Sequence, residues 1–322
     1  MKNISETDFV GNPAQLNSVK YIQFLEGKAT GMKAYEVVTA GGFSITIAID
    51  RGLDIPELSI KGKNISFLSS TGLVNSTYFT EDGDTGFMKN FNVGFLTTGG
   101  LAYMGKSNKN KGLHGTISNT PAYNYFYKIL DKEIKVCGNV KESVMFGTNL
   151  SIYREITISK NELVINIHDT LFNNGDESLP YMLLYHNNYG YPFLTPKTTL
   201  CFNATKSLTR SYQDTEAKDF LDLNDPKSKR PEQVFFHKLK NPEFTINSPN
   251  TNLSLKVKYS GDTLPVLNEW KLERMKNFVL GMEPGTNDVN GFENAQKNNH
   301  LKVISPNERI EFNINFNFKE NK

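Results

Sequence analysis

Along most of the chain, hydrophobic and polar residues alternate with a period of two. In residues 309–318, Ile310, Phe312, Ile314, Phe316 and Phe318 alternate with Glu311, Asn313, Asn315 and Asn317. Successive side chains of a strand point to opposite faces, so this segment predicts a strand with one face buried and one in water. Residues 253–259 repeat the pattern, with Leu253, Leu255, Val257 and Tyr259 on one side and Ser254, Lys256 and Lys258 on the other. Further strands are predicted over 43–49, 134–140, 150–159 and 163–172. Turn signals such as Lys61-Gly62-Lys63 and Asn173-Asn174-Gly175-Asp176 stand between them. Helical spacing is scarce. Leu16, Val19, Ile22 and Leu25 predict one helix over 14–25, and residues 292–299 another short turn. There is no strand–helix–strand alternation, which argues against a Rossmann or TIM-barrel plan. No internal repeat, low-complexity linker or composition break divides the 322 residues. The expectation is a single all-β domain over residues 1–322, a large antiparallel β-sandwich.

Composition narrows the function. Lys and Arg total 36 against 34 Asp and Glu, a formal charge of +2, so the chain has no strong field for holding a nucleic acid. The one compact basic cluster, Lys227, Lys229 and Arg230 with Asp222 and Asp225 just before it, reads as an exposed solvated loop. The 22 Phe and 14 Tyr can fill a sizeable core. No apolar run is long enough to span a membrane as a helix. The first ten residues carry no apolar leader core, and a mature cytoplasmic protein is expected. Cys137 and Cys201 provide neither a disulfide framework nor a thiolate metal site.

Candidate chemistry centres on a few residues. His114 lies in Gly112-Leu113-His114-Gly115, where flanking glycines let the backbone approach a ligand and leave the imidazole unshielded. His186 and Asn188 follow the apolar run 180–185, where a strand leaves the core for a polar, aromatic stretch suited to a polyhydroxylated ligand. Glu283 ends the short apolar strand 278–282, just before Pro284-Gly285. Partial desolvation there raises a carboxyl pKa and makes a better base. Trp270, the only tryptophan, can stack on a sugar face or serve the core. Arg51 can pair with a neighbouring carboxylate or point at a ligand hydroxyl. His237 is a secondary candidate; His168 fits a solvated strand face and His300 the surface. The run Glu81-Asp82-Gly83-Asp84 lacks calcium-loop spacing and reads as solvated. No His-Glu-x-x-His, Walker loop or Gly-x-Ser-x-Gly elbow is present. A metal site from His114, His186, His237 and Glu283 has no His-x-His pair to support it, and none is expected.

These segments, in this order, resemble the aldose 1-epimerase (galactose mutarotase-like) superfamily, and within it a bacterial branch of aldose-1-epimerase-like proteins. The matching stretches are Asp50-Arg51-Gly52-Leu53-Asp54-Ile55, Leu96-Thr97-Thr98-Gly99-Gly100-Leu101 and Gly112-Leu113-His114-Gly115 with Ile117-Ser118-Asn119-Thr120-Pro121. They continue through Leu183-Leu184-Tyr185-His186-Asn187-Asn188-Tyr189-Gly190-Tyr191-Pro192, Glu232-Gln233-Val234, Glu269-Trp270-Lys271 and Gly281-Met282-Glu283-Pro284-Gly285. The resemblance implies a supersandwich with a sugar cleft on one concave face. It also implies a cofactor-free isomerase in which Glu283 takes the anomeric proton and His186 donates to the ring oxygen, while His114 and Arg51 hold hydroxyls. The chain departs from the better-known mutarotases at Tyr185-His186-Asn187-Asn188-Tyr189 and at Pro284-Gly285-Thr286. Their sugar-binding Asp has no fixed counterpart; Glu232, Gln233 or His237 could fill that space.

Three readings follow: an anomer-exchanging epimerase acting on a small carbohydrate, a non-catalytic carbohydrate-binding or sensing protein on the same fold, and a cleft acting at another sugar carbon. Fold alone does not choose among them.

Overall fold

The structure, a computed structural model, describes residues 8–210 and 219–321. Most of the segment read for a leader, residues 1–7, therefore lies outside the described residues. Two large antiparallel sheets dominate. The longer runs in the order Ser18–Gln23, Lys33–Val38, Phe43–Ala48, Asp54–Ile60, Leu96–Leu101, Leu179–Tyr189, Asn277–Gly285, Val266–Arg274, Gln233–Leu239, Ala204–Thr209. The other runs Thr199–Cys201, Glu243–Ser248, Leu253–Tyr259, Arg309–Glu320, Val164–Asn173, Asn149–Ser159, Glu133–Ser143, Tyr123–Ile129. Among the described residues no helix is long and apolar enough to cross a membrane.

The alternating segments form the strands they predict. In Leu253–Tyr259 every second residue is buried, and in Arg309–Glu320 Phe312, Ile314, Phe316 and Phe318 turn inward. Their side chains meet Phe43 and Tyr189 from the longer sheet, and Phe95 just before its strand Leu96–Leu101, in one apolar core. Strand Leu179–Tyr189, central in the longer sheet, is buried on both faces. Tyr181, Leu183 and Tyr185 join the main core, whereas Met182 and Leu184 pack in a second cluster on the opposite face.

The helix expected over 14–25 does not form. A 3-10 turn at Pro13–Gln15 is followed by strand Ser18–Gln23, which pairs with Lys33–Val38 through Val19↔Val37 and Tyr21↔Tyr35. Val19, Tyr21 and Ile22 suit a strand, and ladder bonds outweigh a chance helical spacing. The short turn expected over 292–299 is a short α-helix, Phe292–Lys297. Basic residues 227–230 lie on an exposed turn, Pro226–Ser228, capped by Asp225.

A buried polar bolt joins the sheets. Arg154 donates to Asp169 at 2.7 Å, to Asp54 at 3.0 Å and to the Gly52 carbonyl at 3.1 Å. Tyr185 reaches Asp169 from the opposite sheet at 2.7 Å, and Asp54 accepts from the Thr98 hydroxyl at 2.6 Å. Every charge in the bolt has an opposite partner, as burial requires.

Candidate active site

The second face of the longer sheet carries a cleft of about 550 Å³, within the roughly 300–1,000 Å³ common for small-molecule sites. Its floor is set by strand register. Leu184↔Gly285 and Asn187↔Met282 place His186 directly opposite Glu283, while Thr97 and Asn268 flank the pair on the outer strands. Period-two geometry sends both side chains to the cleft face. His186 Nε2 lies 3.1 Å from Glu283 Oε1, with the residues 5% and 2% exposed.

Burial decides how the pair is charged. It holds the His186 pKa well below that of a free imidazole, with the neighbouring His114 adding to the effect. It drives the Glu283 carboxyl well above the usual carboxylate range, helped by the charge of Glu232. A fixed ion pair is therefore not the resting state. Burial instead favours a neutral imidazole beside a neutral acid.

Around this pair stand two walls. Phe91 and Trp270 pack against the His186 ring at centroid distances of 5.2 and 5.4 Å. His114 meets His186 edge-on at 5.6 Å, and burial pulls its pKa down to about 4. Its backbone is pinned on both sides: the His114 amide donates to the Gly105 carbonyl, and its carbonyl accepts from the Gly100 amide, each at 2.9 Å. His114 has φ +58° and Gly115 φ +74°; a side chain on Gly115 would strike the Tyr103 carbonyl at 2.3 Å. The glycine here is required so that the loop can press His114 onto the cleft. His114 Nδ1, His186 Nδ1 and Glu283 Oε1 are buried without a hydrogen-bond partner among the described residues. Such atoms call for a polar ligand or a neighbour that completes them.

On the opposite side Glu232 accepts from Trp270 Nε1 at 2.8 Å and from Arg210 Nη2 at 2.6 Å. Arg210 and Glu232 stand just beyond the strands at the loop end of the hairpin formed by Ala204–Thr209 and Gln233–Leu239, where the Arg210 amide donates to the Val234 carbonyl at 3.0 Å. Asp84, Lys106 and Asn290 complete the polar rim.

Of the residues singled out in the sequence, Glu283, His186, His114 and Trp270 converge on the cleft. Glu232 is the one of the three sugar-acid alternatives that lines it. Arg51 does not; it is buried and donates to the Val74 carbonyl at 2.9 Å. The Arg51-Gly52-Leu53-Asp54 stretch instead serves the bolt, through the Gly52 carbonyl and the Asp54 carboxylate. His237 lies in a separate buried chain, bonded to Ser207 at 2.7 Å and Glu269 at 2.8 Å, with Lys271 3.1 Å from Glu269. Gln233, paired with Lys271 in the ladder, and Asn188, beneath His186, are also outside the lining. The four-residue metal grouping thus does not assemble, because His237 stands apart. His168 and Asn313 bond to each other at 2.7 Å on an exposed strand face, as expected.

Arg210 and Asp84 had no motif to mark them. The run 81–84, read as a solvated loop, opens the short helix Gly83–Met88, which delivers Asp84 and Phe87 to the cleft. A regular aromatic spacing, Phe87 to Phe91, was the available signal.

Two large antiparallel sheets make the chain an all-β sandwich, and its solved neighbours show that this is the galactose mutarotase-like fold. It belongs to the family described as Domain of unknown function (DUF4432), which matches residues 29–318. No curated protein matches the sequence. Among solved structures, a "putative aldose 1-epimerase" from Klebsiella pneumoniae superposes with a TM-score of 0.86 at 21% identity, over 95% of this chain and 84% of that one. A galactose mutarotase-like protein from Clostridium acetobutylicum gives 0.68 at 14% identity, over 95% and 99% of the two chains. The galactose 1-epimerase of Lactobacillus acidophilus gives 0.66 at 13%, over 95% and 100%. At these identities the likeness is one of fold.

Proposed function

We propose that the chain is a single galactose mutarotase-like domain that interconverts the anomers of an aldose or aldose derivative, with Glu283 and His186 as base and acid. The observation that carries this is their 3.1 Å approach at the floor of a buried cleft. The reactive form is the tautomer with the proton on imidazole. Glu283 then takes the proton from the anomeric hydroxyl as the C1–O5 bond breaks and C1=O1 forms, and His186 Nε2 protonates O5. The aldehyde rotates, and the reverse transfers close the ring on its other face. The proton that leaves His186 equals the one gained by Glu283, so the pair returns to its starting charge. Each positioned acid or base contributes on the order of 10²–10⁴-fold.

The sugar exchanges the direct His186–Glu283 contact for one contact to each of its oxygens. Trp270 and Phe91 offer faces for its C–H surface. Glu232, held by Arg210 and Trp270, keeps spare acceptor positions for ring hydroxyls, and His114, neutral near pH 7, is a donor or acceptor for another.

The test is anomeric exchange by NMR over neutral, phosphorylated and uronic aldoses. Exchange above the spontaneous rate for at least one of them supports the reading. Sugar binding without acceleration would replace it with the carbohydrate-binding alternative.

A further inference from the structure

One pleat below the pair, the ladder places Asn188 opposite Gly281, and Gly281 in turn opposite Trp270. Both oxygens of interest lie over this bare glycine. A Cβ built on Gly281 would stand 2.3 Å from Glu283 Oε1 and 3.3 Å from Asn188 Oδ1. Asn188 is fully buried and cannot turn freely, because its amide nitrogen donates to the His186 carbonyl at 2.8 Å and the Val93 carbonyl at 3.3 Å. Its Oδ1 is left without a hydrogen-bond partner, and so is His186 Nδ1. The two residues are two apart on one strand and share a face, and a hydrogen bond from the Asn188 side chain works to raise the His186 pKa against burial. Buried polar atoms of that kind pair with each other when they can.

We infer that Asn188 and Gly281 are positioning residues: Asn188 Oδ1 accepts a hydrogen bond from His186 Nδ1–H, and Gly281 leaves the space that seats the Glu283 carboxyl. With Nδ1 committed as a donor, Nε2 is the nitrogen that trades a proton with Glu283. The same bond favours the imidazolium, the form the proposed chemistry needs, against the burial that opposes it. A side chain at Gly281 would meet the tip of Glu283 first and push it aside.

The inference rests on the proposed acid–base roles for its catalytic consequence, but the proton's place on His186 can be read without activity. Long-range ¹H–¹⁵N spectra of ¹⁵N-histidine-labelled protein, with His186 assigned from the signal lost in His186→Gln, report the tautomer. The wild type is expected to show protonated Nδ1 and unprotonated Nε2. Asn188→Leu is expected to shift His186 toward Nε2–H and lower kcat about tenfold with little change in KM, and Asn188→Asp to restore the Nδ1–H signature. Gly281→Ala is expected to keep the fold and the Nδ1–H signature while exchange falls at least tenfold. Nε2–H in the wild type, or in Asn188→Asp, overturns the role of Asn188. Full exchange in Gly281→Ala overturns the seat. If Asn188→Leu does not fold, the wild-type, Asn188→Asp and Gly281→Ala spectra still decide. If no sugar is turned over, the spectra alone decide the Asn188 bond, and only the proposed function is lost.

Discussion

Replacing Glu283 by Gln keeps the side chain's shape and removes its ability to take a proton, and two opposite consequences follow. Catalysis falls on the order of 10²–10⁴-fold for loss of a positioned base, or about 2.7–5.4 kcal/mol in the barrier. Stability moves the other way. The folded Glu283 pKa lies above its unfolded value, so the carboxyl destabilises the native state at neutral pH. Its unpenalised contribution is present below the unfolded pKa and is lost as pH rises toward the folded one. Gln carries no such penalty. The variant's advantage over wild type is expected to be near zero around pH 4 and to grow with pH, by at most about 1.4 kcal/mol per pH unit. The assay is urea denaturation of both proteins between pH 4 and 8, with anomeric exchange measured on the same samples. A Glu283→Gln protein that is less stable than wild type at pH 8 would refute the argument from burial. One that keeps full exchange would refute the base.

Other consequences are smaller or more local. His114→Ala removes a neutral hydrogen-bonding group worth about 0.5–1.5 kcal/mol, so kcat/KM should drop roughly two- to tenfold with the fold intact by circular dichroism. Glu232→Gln leaves an amide oxygen for Trp270 but no charge for Arg210. Sugar affinity by titration calorimetry should weaken while stability changes by less than about 1 kcal/mol, since both partners of the ion pair are well exposed. Arg154→Met strands Asp169 and Asp54 in the core and should cost about 3–5 kcal/mol in denaturant titrations, far from the cleft chemistry.

The sandwich could be read in the sequence because its strands have one wet face, which writes a period of two into residues 253–259 and 309–318. The same logic failed at 14–25, where four apolar residues fit a helix by spacing but an adjacent strand offered a ladder. Site residues divided in an instructive way. The cleft position of His186 and Glu283 was legible because each ends an apolar run, where a polar group must either leave the core or be used. Arg51 and His237 carry equally suggestive chemistry, yet both are consumed by buried polar partners. Which partner a buried Arg or His finds depends on how strands distant in sequence are registered, and no local pattern encodes that. Arg210 and Glu232 show the same limit from the other side. They are 22 residues apart across a long loop and meet only because Ala204–Thr209 pairs with Gln233–Leu239.

The central claim is that the cleft moves protons on a sugar and does not merely hold it. Saturation transfer between α and β anomers, measured on one sample with sugar binding followed in parallel, tests it most directly. The account requires exchange faster than the spontaneous rate for a sugar that binds, and its loss in Glu283→Gln while binding persists. A sugar that binds in this cleft with no acceleration in the wild type would contradict it.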